Sequence, residues 1–314
     1  MVKYSIFAPI YNEEGNIKEL YRQVKVVMEG LKESWELILV NDGSTDNSLN
    51  EILSIKDKRV VLVDLKKNYG QAVAMDAGFR YAKGEIIISI DADLQNDPAD
   101  IPKLLEKLEK DNLDVVAGWR YQRKDPAWML VVTRSARLLR GMFASDGVHD
   151  SGCTLRVYRK EFVSELELWG EMHRYIIALL RWHGARVGEL KVNHRPRTAG
   201  VSKYNWKKSF KGLVDLFYIW FWKKFSARPL HLFGVSGLFL IFFGMLSALW
   251  TLKLKLLNGV SLSDSVWFMM SGFLVLIGIQ FFIFGIVLDL LIRNYYNTSL
   301  EKRYDIKRVV KKEK

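Results

Sequence analysis

The first 120 residues alternate short apolar runs with stretches of helical periodicity. Five continuous runs rich in Val, Ile and Leu occupy residues 4–9, 35–41, 59–65, 85–90 and 114–118. Amphipathic stretches separate them at residues 13–30, 45–54, 69–82 and 98–110. Apolar runs without alternation are typical of strands buried on both faces, and the intervening helices supply the crossovers of a parallel sheet. The pattern predicts an α/β domain with a Rossmann-like, mostly parallel sheet.

Two much longer apolar runs lie near the C-terminus. Residues 229–252 and 265–288 carry no charged side chain, and each run holds 24 residues. At about 1.5 Å rise per residue each helix would reach ~36 Å, which exceeds the ~30 Å hydrocarbon core of a bilayer. We therefore expect a hairpin of two transmembrane helices, at about 229–252 and 265–289.

The segment before this hairpin, residues 205–228, interleaves aromatic with lysine side chains. That composition predicts a juxtamembrane amphipathic helix, with its aromatics in the bilayer and its lysines against anionic headgroups. The link between the two spans carries two basic residues, whereas the tail at 293–314 carries eight. By the positive-inside rule, the tail and the N-terminal region face the cytoplasm. The expectation is a multi-pass protein of the inner (cytoplasmic) membrane.

Charge refines this picture. The 314 residues carry a formal net charge of +12 and a single cysteine, Cys153, which excludes an internal disulfide. The charge is −6 over residues 1–115, +7 over 116–202 and +11 over 203–314. Because the first segment is acidic, we expect no nucleic-acid groove along the chain, and the basic remainder favours phosphates and a lipid bilayer as partners. The predicted regions are a cytoplasmic α/β domain (1–204), an amphipathic helix (205–228), two spans (229–292) and a basic cytoplasmic tail (293–314).

Polar residues follow four of the predicted strands at the point where each strand ends. They are Pro9 to Glu14, Asn41 to Asp46, Asn68 to Gln71 and Asp91 to Gln95. Ligands of parallel α/β sheets bind outside the carboxyl ends of the strands. One such segment alone could be a turn or a helix cap, but four at one rim predict a binding site.

Asp91 and Asp93 are the sharpest chemical signal at this rim. Residues i and i+2 of an extended segment point the same way, so both carboxylates can face one point. Two like charges held together are costly unless a cation lies between them, and hard oxygen ligands suit Mg²⁺ or Mn²⁺. Gln95 could add an amide oxygen. Such an ion would stabilise charge on a diphosphate leaving group.

The motifs resemble a known family. PIYNEE, VNDGSTD, KNYGQ and DADLQNDP are similar to motifs of the family-2 inverting glycosyltransferases of GT-A fold. The later DSGC, LRVYR and HRPRTAGVSKY segments resemble the polyisoprenyl-phosphate glycosyltransferases, the group of dolichyl-phosphate mannose synthase and the bacterial undecaprenyl-phosphate glucosyl- and aminoarabinosyl-transferases. The likeness runs over residues 4–230, and the hairpin continues it to about 292. No Walker-type or GxGxxG loop is present, which argues against a kinase, NTPase or dinucleotide oxidoreductase.

The resemblance implies a role for individual residues. The nucleotide sugar would meet Pro9, Tyr11, Glu13, Asp42, Gly70, Gln71 and Asp91. The metal ligands would be Asp91, Asp93 and Gln95. The phosphates would be held by Arg120, Arg134, Arg197, Ser202 and Lys203. Asp93 and Asp150 would be the catalytic carboxylates, with Asp150 acting either as a base or only to orient an arginine.

The implied reaction is the inverting transfer of one hexose-type sugar from a UDP- or GDP-linked donor to undecaprenyl or dolichyl phosphate. A phosphate monoester is largely anionic at pH 7, since its second pKa is ~6, and it needs cations more than a general base. The expected enzyme is therefore metal-dependent, with Mg²⁺ or Mn²⁺ as cofactor.

Two alternatives remain open at this point. Processive polysaccharide synthases carry a Gln-x-x-Arg-Trp signature, and this chain has Arg181-Trp182 but Ala178 in the place of the glutamine. A degenerate domain that only binds a lipid or a partner is the second alternative, against which the intact Asp91 and Asp93 argue. Small residues in the spans, such as Gly237, allow close helix packing and are compatible with a homo-oligomer.

Overall fold

The fold is described from a computed structural model, and the chain divides into two compact units. One unit comprises Met1–Phe217 together with Arg303–Lys314, and the other is Tyr218–Lys302. The structure describes residues 2–121, 147–164, 166, 168, 170, 172–195, 221, 225, 229–259, 261–262, 265–298 and 306–311. Of the predicted site residues, Arg134, Arg197, Ser202 and Lys203 lie outside these ranges. So does the predicted amphipathic helix, apart from Phe221 and Phe225, which are helical.

The first unit opens with the predicted alternation of strands and helices. Its elements are β1 (Tyr4–Ile10), α1 (Ile17–Gly30), β2 (Trp35–Asn41), α2 (Ser48–Ser54), β3 (Val60–Leu65), α3 (Gln71–Tyr81), β4 (Ile86–Ser89), a 3-10 turn (Pro98–Asp100), α4 (Ile101–Lys110) and β5 (Val115–Arg120). All five predicted strands are present. The prediction of an α/β domain is confirmed.

The described part of the chain continues with shorter elements and two long helices. They are β6 (Arg156–Arg159), α5 (Lys160–Val163), a 3-10 helix (Met172–Tyr175), α6 (Ile176–Trp182), β7 (Val187–Val192), α7 (Pro229–Asn258), α8 (Val266–Thr298) and β8 (Ile306–Lys311).

In the described residues the strands form one sheet in the order β7-β5-β6-β4-β1-β2-β3-β8. The consecutive strands β1 to β4 pair in parallel, which brings their carboxyl ends to one rim. Strand β6, which is antiparallel to both β4 and β5 and separates them, was not predicted from the sequence. Neither was β7, which runs parallel to β5 at one edge.

The C-terminal tail also differs from expectation. Residues 306–311 pair antiparallel with β3 and close the other edge of the sheet. The sequence of this segment, Ile306-Lys-Arg-Val-Val-Lys311, places its apolar and basic residues in adjacent pairs, so it lacks the period-2 pattern that predicts a strand. The tail therefore contributes to the fold of the first unit.

The main core lies between one face of the sheet and the helices α1 and α4. Side chains of β1, β2 and β4 meet those of the two helices there, and representative members are Ile6, Leu39, Ile88, Val24 and Leu104, all fully buried. The uninterrupted apolar strands supply this core, and the helical periodicity of α1 and α4 turns their Leu and Val residues towards it. The rim is thus carried on rigid strands.

The second unit contains α7 and α8, both long and apolar enough to cross a membrane. Bulky residues point outwards, as at Leu256 and Trp267, which are 77% and 71% exposed. Glycines line the contact between the helices, and a Cβ on Gly237 would lie 2.5 Å from the carbonyl oxygen of Gly278. Close backbone approach at small residues is how helices associate in lipid, where burial of apolar side chains gives no advantage.

Candidate active site

The segments after β1 and β2 are joined by hydrogen bonds at the rim. The Asn12 amide oxygen accepts from the backbone N–H of Thr45 at 2.8 Å, and the Asn12 N–H donates to Ser44 Oγ at 3.1 Å. The Glu13 N–H donates to Ser48 Oγ at 2.9 Å. Asn12 has a φ of 55°, a left-handed conformation that asparagine tolerates better than most residues. Tyr11 and Glu13 are therefore held beside the 41–48 segment.

Asp42 connects the ends of three strands. Its carboxylate accepts from the N–H groups of Tyr69 at 2.7 Å and Gly70 at 2.9 Å, and from Asn68 Nδ2 at 3.0 Å. Its own N–H donates to the carbonyl of Ile10 at 2.8 Å. Burial raises the pKa of Asp42, and the two backbone donors oppose that shift. Two predicted site residues, Asp42 and Gly70, thus belong to one hydrogen-bonded network, which Ile10, the neighbour of the predicted Pro9, joins through its carbonyl.

The turn after Asp42 requires a glycine at position 43. The φ of Gly43 is 64°, and a Cβ here would lie 2.4 Å from the backbone carbonyl carbon of Lys67. A side chain would therefore be strained and would push the β2 and β3 ends apart. The glycine lets the backbone carrying Asn68 approach Asp42.

Asp91 and Asp93 follow β4 and form the acidic centre of the rim. Gln71 Nε2 donates to Asp91 Oδ1 at 3.2 Å, and the Gln95 N–H donates to Asp93 Oδ1 at 3.1 Å. Burial raises the pKa of Asp91 to about 6, with a further contribution from the negative charge of Asp93. A hydrogen bond from Thr154 and the charges of Arg120 and Arg156 oppose that rise.

The donor set at this point fits a divalent cation. Two carboxylates and an amide are hard oxygen ligands, and burial, with the neighbouring charge of Asp93, raises the pKa of Asp91, so a cation here would stabilise the ionised pair. In the described part of the chain, no three His, Cys, Asp or Glu side chains converge on a common point. A cation bound here would therefore take part of its coordination from the substrate, as Mg²⁺ and Mn²⁺ do at phosphates.

The second charged feature is an ion pair at the end of β5. Arg120 Nε and Nη2 donate to the Asp150 carboxylate at 2.7 and 2.9 Å, and the Arg120 N–H donates to Oδ2 at 3.3 Å. Burial lowers the pKa of Arg120, but the hydrogen bonds and charge of Asp150 outweigh that effect and leave it raised. The carboxylate of Asp150 is thus occupied by a guanidinium.

Several residues near the site were missed in the sequence. Arg156 begins β6 directly beside Ser89 of β4; its side chain is 1% exposed, and its charge acts on Asp91. Its Nη2 donates to the carbonyl of Ser151, whereas Nε and Nη1 have no hydrogen-bond partner among the residues that the structure describes. Glu189 and Arg195, from β7 and the segment after it, touch the two turns that carry predicted site residues. Arg156 and Arg195 lie in the LRVYR and HRPRTAGVSKY segments of the family resemblance, which gave them a sequence signal but no role. Glu189 lies in neither segment, and its contacts depend on the unpredicted strand β7.

A parallel sheet with a buried aspartate after β2 and an Asp-x-Asp pair after β4 defines a GT-A-like α/β domain. The model of the family described as glycosyl transferase family 2 matches residues 5–167. The chain belongs to this family.

Relatives resemble the chain over nearly its whole length. Dodecaprenyl-phosphate galacturonate synthase of Rhizobium johnstonii is 35% identical, covering 98% of this chain and 93% of the relative. Undecaprenyl-phosphate 4-deoxy-4-formamido-L-arabinose transferase of Proteus mirabilis is 32% identical, covering 98% of this chain and 94% of the relative. The resemblance to polyisoprenyl-phosphate glycosyltransferases is confirmed.

Solved structures show the same fold at lower identity. Glucosyl-3-phosphoglycerate synthase from Mycobacterium tuberculosis, in complex with Mn²⁺ and UDP-glucose, superposes with a TM-score of 0.56 at 19% identity, covering 69% of this chain and 79% of the other. Its complex with Mg²⁺ and UDP gives a TM-score of 0.53 at 18% identity, covering 69% and 79%. The likeness supports the fold alone.

Proposed function

We propose that this glycosyltransferase moves a single sugar from a nucleoside-diphosphate sugar to a polyisoprenyl phosphate, with inversion, at the cytoplasmic face of the membrane. The observation that carries the proposal is the juxtaposition of two opposite features in one rim. The acidic pair Asp91 and Asp93 suits a cation and a diphosphate, and Arg120, whose charge acts on Asp91, suits an anionic acceptor. The names of the relatives supply the class of acceptor.

The donor would be held by the network around Asp42. This carboxylate is fixed by two backbone N–H groups and Asn68, so it presents a rigid edge to the base and ribose. Pro9, Tyr11 and Glu13 come from the neighbouring segment, and Gln71 connects this pocket to Asp91. Rigid backbone positions give the precise orientation that transfer requires.

Asp91, Asp93 and Gln95 would hold Mg²⁺ or Mn²⁺, which would neutralise charge on the departing diphosphate. Asp93 is 8% exposed, and the Gln95 N–H fixes its carboxylate orientation. The two side chains thus arrive preorganised at the point where negative charge develops, which is where electrostatic stabilisation accelerates a reaction most.

The acceptor would meet Arg120, together with the predicted phosphate residues Arg134, Arg197, Ser202 and Lys203. Asp150 engages both Nε and Nη2 of Arg120, so we assign it the orienting role and not that of a general base. The acceptor is already anionic at pH 7, which removes the need for proton abstraction. Arginine suits this task because its planar fork matches phosphate geometry.

The two apolar helices support action at a membrane, where a polyisoprenyl phosphate is found. The eight basic residues of the tail against two in the link favour a cytoplasmic site. The processive alternative is disfavoured, because Ala178 on α6 occupies the place of the signature glutamine and is buried. The non-catalytic alternative is disfavoured by the intact carboxylate pair.

The experiment is a transfer assay with purified protein, undecaprenyl phosphate, Mn²⁺ and a panel of labelled UDP- and GDP-sugars that includes UDP-galacturonate. We expect one donor to give a chloroform-soluble, mild-acid-labile product, and that donor with Mn²⁺ to raise the thermal midpoint. High-molecular-weight product would support the processive alternative. No Mn²⁺-dependent binding of any donor would support the non-catalytic one.

A further inference from the structure

We propose that residues 187–195, here called the β7 segment, align the two halves of the active site. The segment comprises the edge strand β7 and the three residues after it. Glu189 positions the turn that presents Asp150, and Arg195 positions the turn that carries Gln95. Both are positioning residues, and the inference rests on the roles proposed above for Asp150 and the metal ligands.

The Glu189 carboxylate holds the 149–150 turn by three groups. The N–H groups of His149 and Asp150 lie 2.8 and 3.0 Å from Oε1, and His149 Nδ1 lies 2.7 Å from Oε2. The His149 ring also stacks on Trp119 of β5, with centroids 4.3 Å apart. Glu189 faces Ala117 in the β5–β7 register, three residues before Arg120.

A chain of contacts therefore leads from β7 to the guanidinium of Arg120, the group proposed to bind the acceptor phosphate. Glu189 fixes the backbone of Asp150, and Asp150 fixes the Arg120 fork by two hydrogen bonds. A carboxylate with both oxygens engaged by N–H donors cannot be replaced by an amide, because an amide has one acceptor oxygen and its NH₂ group would oppose an N–H donor. The orientation of Arg120 thus depends on a residue that touches no substrate.

Arg195 makes the equivalent attachment to the metal side. Its N–H donates to the carbonyl of Gln95 at 2.9 Å, its Nη2 lies 2.6 Å from Asp97 Oδ2, and its Nη1 donates to Gln23 Oε1 at 2.8 Å. The adjacent residue His194 forms a bridge with Asn96. One arginine therefore ties the turn of the predicted metal ligand Gln95 to helix α1.

The N-terminal end of the same strand offers an internal comparison. Arg186, just before β7, pairs with Asp114 through Nη2 at 2.8 Å and Nε at 3.0 Å. This pair lies at the amino ends of the parallel strands β5 and β7, opposite the rim where the site residues lie. It fixes the start of β7 to the start of β5, and its described partners, Asp114 and Asn112, are not predicted site residues.

The test uses the full-length enzyme in proteoliposomes, with five variants, Arg195→Lys among them, and two readouts. Glu189→Gln is matched by Asp114→Asn, and Arg195→Gln is matched by Arg186→Gln. The readouts are the KM for undecaprenyl phosphate against kcat, and the dissociation constant for Mn²⁺ measured by calorimetry with saturating UDP. The thermal midpoint of each variant reports general loss of structure.

We expect Glu189→Gln to raise the acceptor KM about tenfold or more and to leave Mn²⁺ affinity unchanged, because misalignment of a positioning group by an ångström costs up to ~10²-fold. Arg195→Gln keeps the backbone hydrogen bond to Gln95 but removes the side-chain bonds to Asp97 and Gln23 that tie this turn to α1. We expect the loosened turn to weaken Mn²⁺ binding roughly ten- to a hundredfold, the usual effect of losing an outer-shell contact around a metal ligand, with Arg195→Lys intermediate. The two control variants should lower the thermal midpoint and change neither readout.

The inference is overturned if Glu189→Gln and Arg195→Gln both change the acceptor KM, or both change the Mn²⁺ affinity. It is also overturned if they lower only the thermal midpoint, as the control variants do. A wild-type enzyme that transfers no sugar contradicts the proposed function and this inference with it. An active wild type with unaltered constants in Glu189→Gln and Arg195→Gln contradicts the inference alone.

Discussion

The proposed active site has two halves that differ in charge: the donor half, around Asp91 and Asp93, is acidic, and the acceptor half, around Arg120 and Asp150, presents a guanidinium. On the donor half, Asp91 lies beside Asp93 and has its pKa raised to about 6 by burial and by that neighbouring charge. On the acceptor half, Arg120 is already matched by Asp150 at 2.7 and 2.9 Å. One half holds two neighbouring carboxylates, and the other holds a cation fixed in direction by its carboxylate partner.

This difference indicates what each half binds. A destabilised carboxylate pair gains most from a cation, whereas a paired guanidinium keeps donors for an anion while its direction is set. The halves also differ in construction. The donor half consists of loops that follow consecutive parallel strands, and the acceptor half is assembled around β5, β6 and β7 from residues distant in sequence.

The largest effect should come from removing the charge of Asp93. We expect Asp93→Asn to lower the transfer rate by roughly a thousandfold or more, because several kcal/mol of stabilisation of the leaving group would be lost. The rate would be measured with saturating Mn²⁺ and both substrates. Asp111→Asn, which alters an exposed carboxylate paired with Lys107, is the control and should transfer normally. Near-normal activity of Asp93→Asn would remove the metal role.

The next effect tests the acceptor half. Asp150→Asn should lower the transfer rate about ten- to a hundredfold through a higher acceptor KM, because Arg120 loses a charge-matched partner. If Asp150 only orients Arg120, the pH–rate profile should keep its shape. Disappearance of a limb of that profile in the variant would instead identify Asp150 as a general base.

A smaller effect is expected at Asp42. Replacement by Asn leaves one acceptor oxygen for two backbone N–H groups and Asn68. Leaving a buried donor unsatisfied costs about 1–3 kcal/mol, so we expect UDP affinity to fall about tenfold and the thermal midpoint to drop. Calorimetry with UDP gives the affinity. A normal dissociation constant for UDP would show that the pocket does not depend on this carboxylate.

The smallest effect is expected at the Asp114–Arg186 ion pair outside the site, whose contribution to stability should depend on pH. Arg186 lowers the pKa of Asp114, chiefly through side-chain hydrogen bonds. A lowered pKa means that the stabilisation is complete above the unfolded value of ~3.9 and is lost as the pH falls through the folded one. We expect the wild type to unfold a few degrees above Asp114→Asn at pH 6, and this gap to narrow towards pH 3. A gap independent of pH would contradict the ion pair.

The donor half of the site could be predicted from the sequence to a larger extent than the acceptor half. The donor half was predictable because buried parallel strands leave continuous apolar runs, and the residues after each run share a rim by topology. Asp42, Gln71 and Asp91 were identified in this way, and hydrogen bonds connect their segments. Glu189 could not be predicted, because β7 is a half-exposed edge strand without a clear apolar pattern. The same holds for β8, whose basic residues resemble an ordinary charged tail. Arg195 lies in the HRPRTAGVSKY segment of the family resemblance, but its contacts to Gln95 and Asp97 depend on the fold.

In the proposed reaction, one sugar passes from a nucleotide donor bound at Asp91 and Asp93 to a lipid phosphate bound at Arg120. The most direct test is the intact mass of the lipid product formed by purified protein from undecaprenyl phosphate, Mn²⁺ and the donor selected by screening. We expect the mass of undecaprenyl phosphate plus one sugar residue, and we expect this product to be absent when Mn²⁺ is chelated and absent with Asp93→Asn. A lipid bearing a sugar chain, or a product that forms equally without divalent metal, would contradict it.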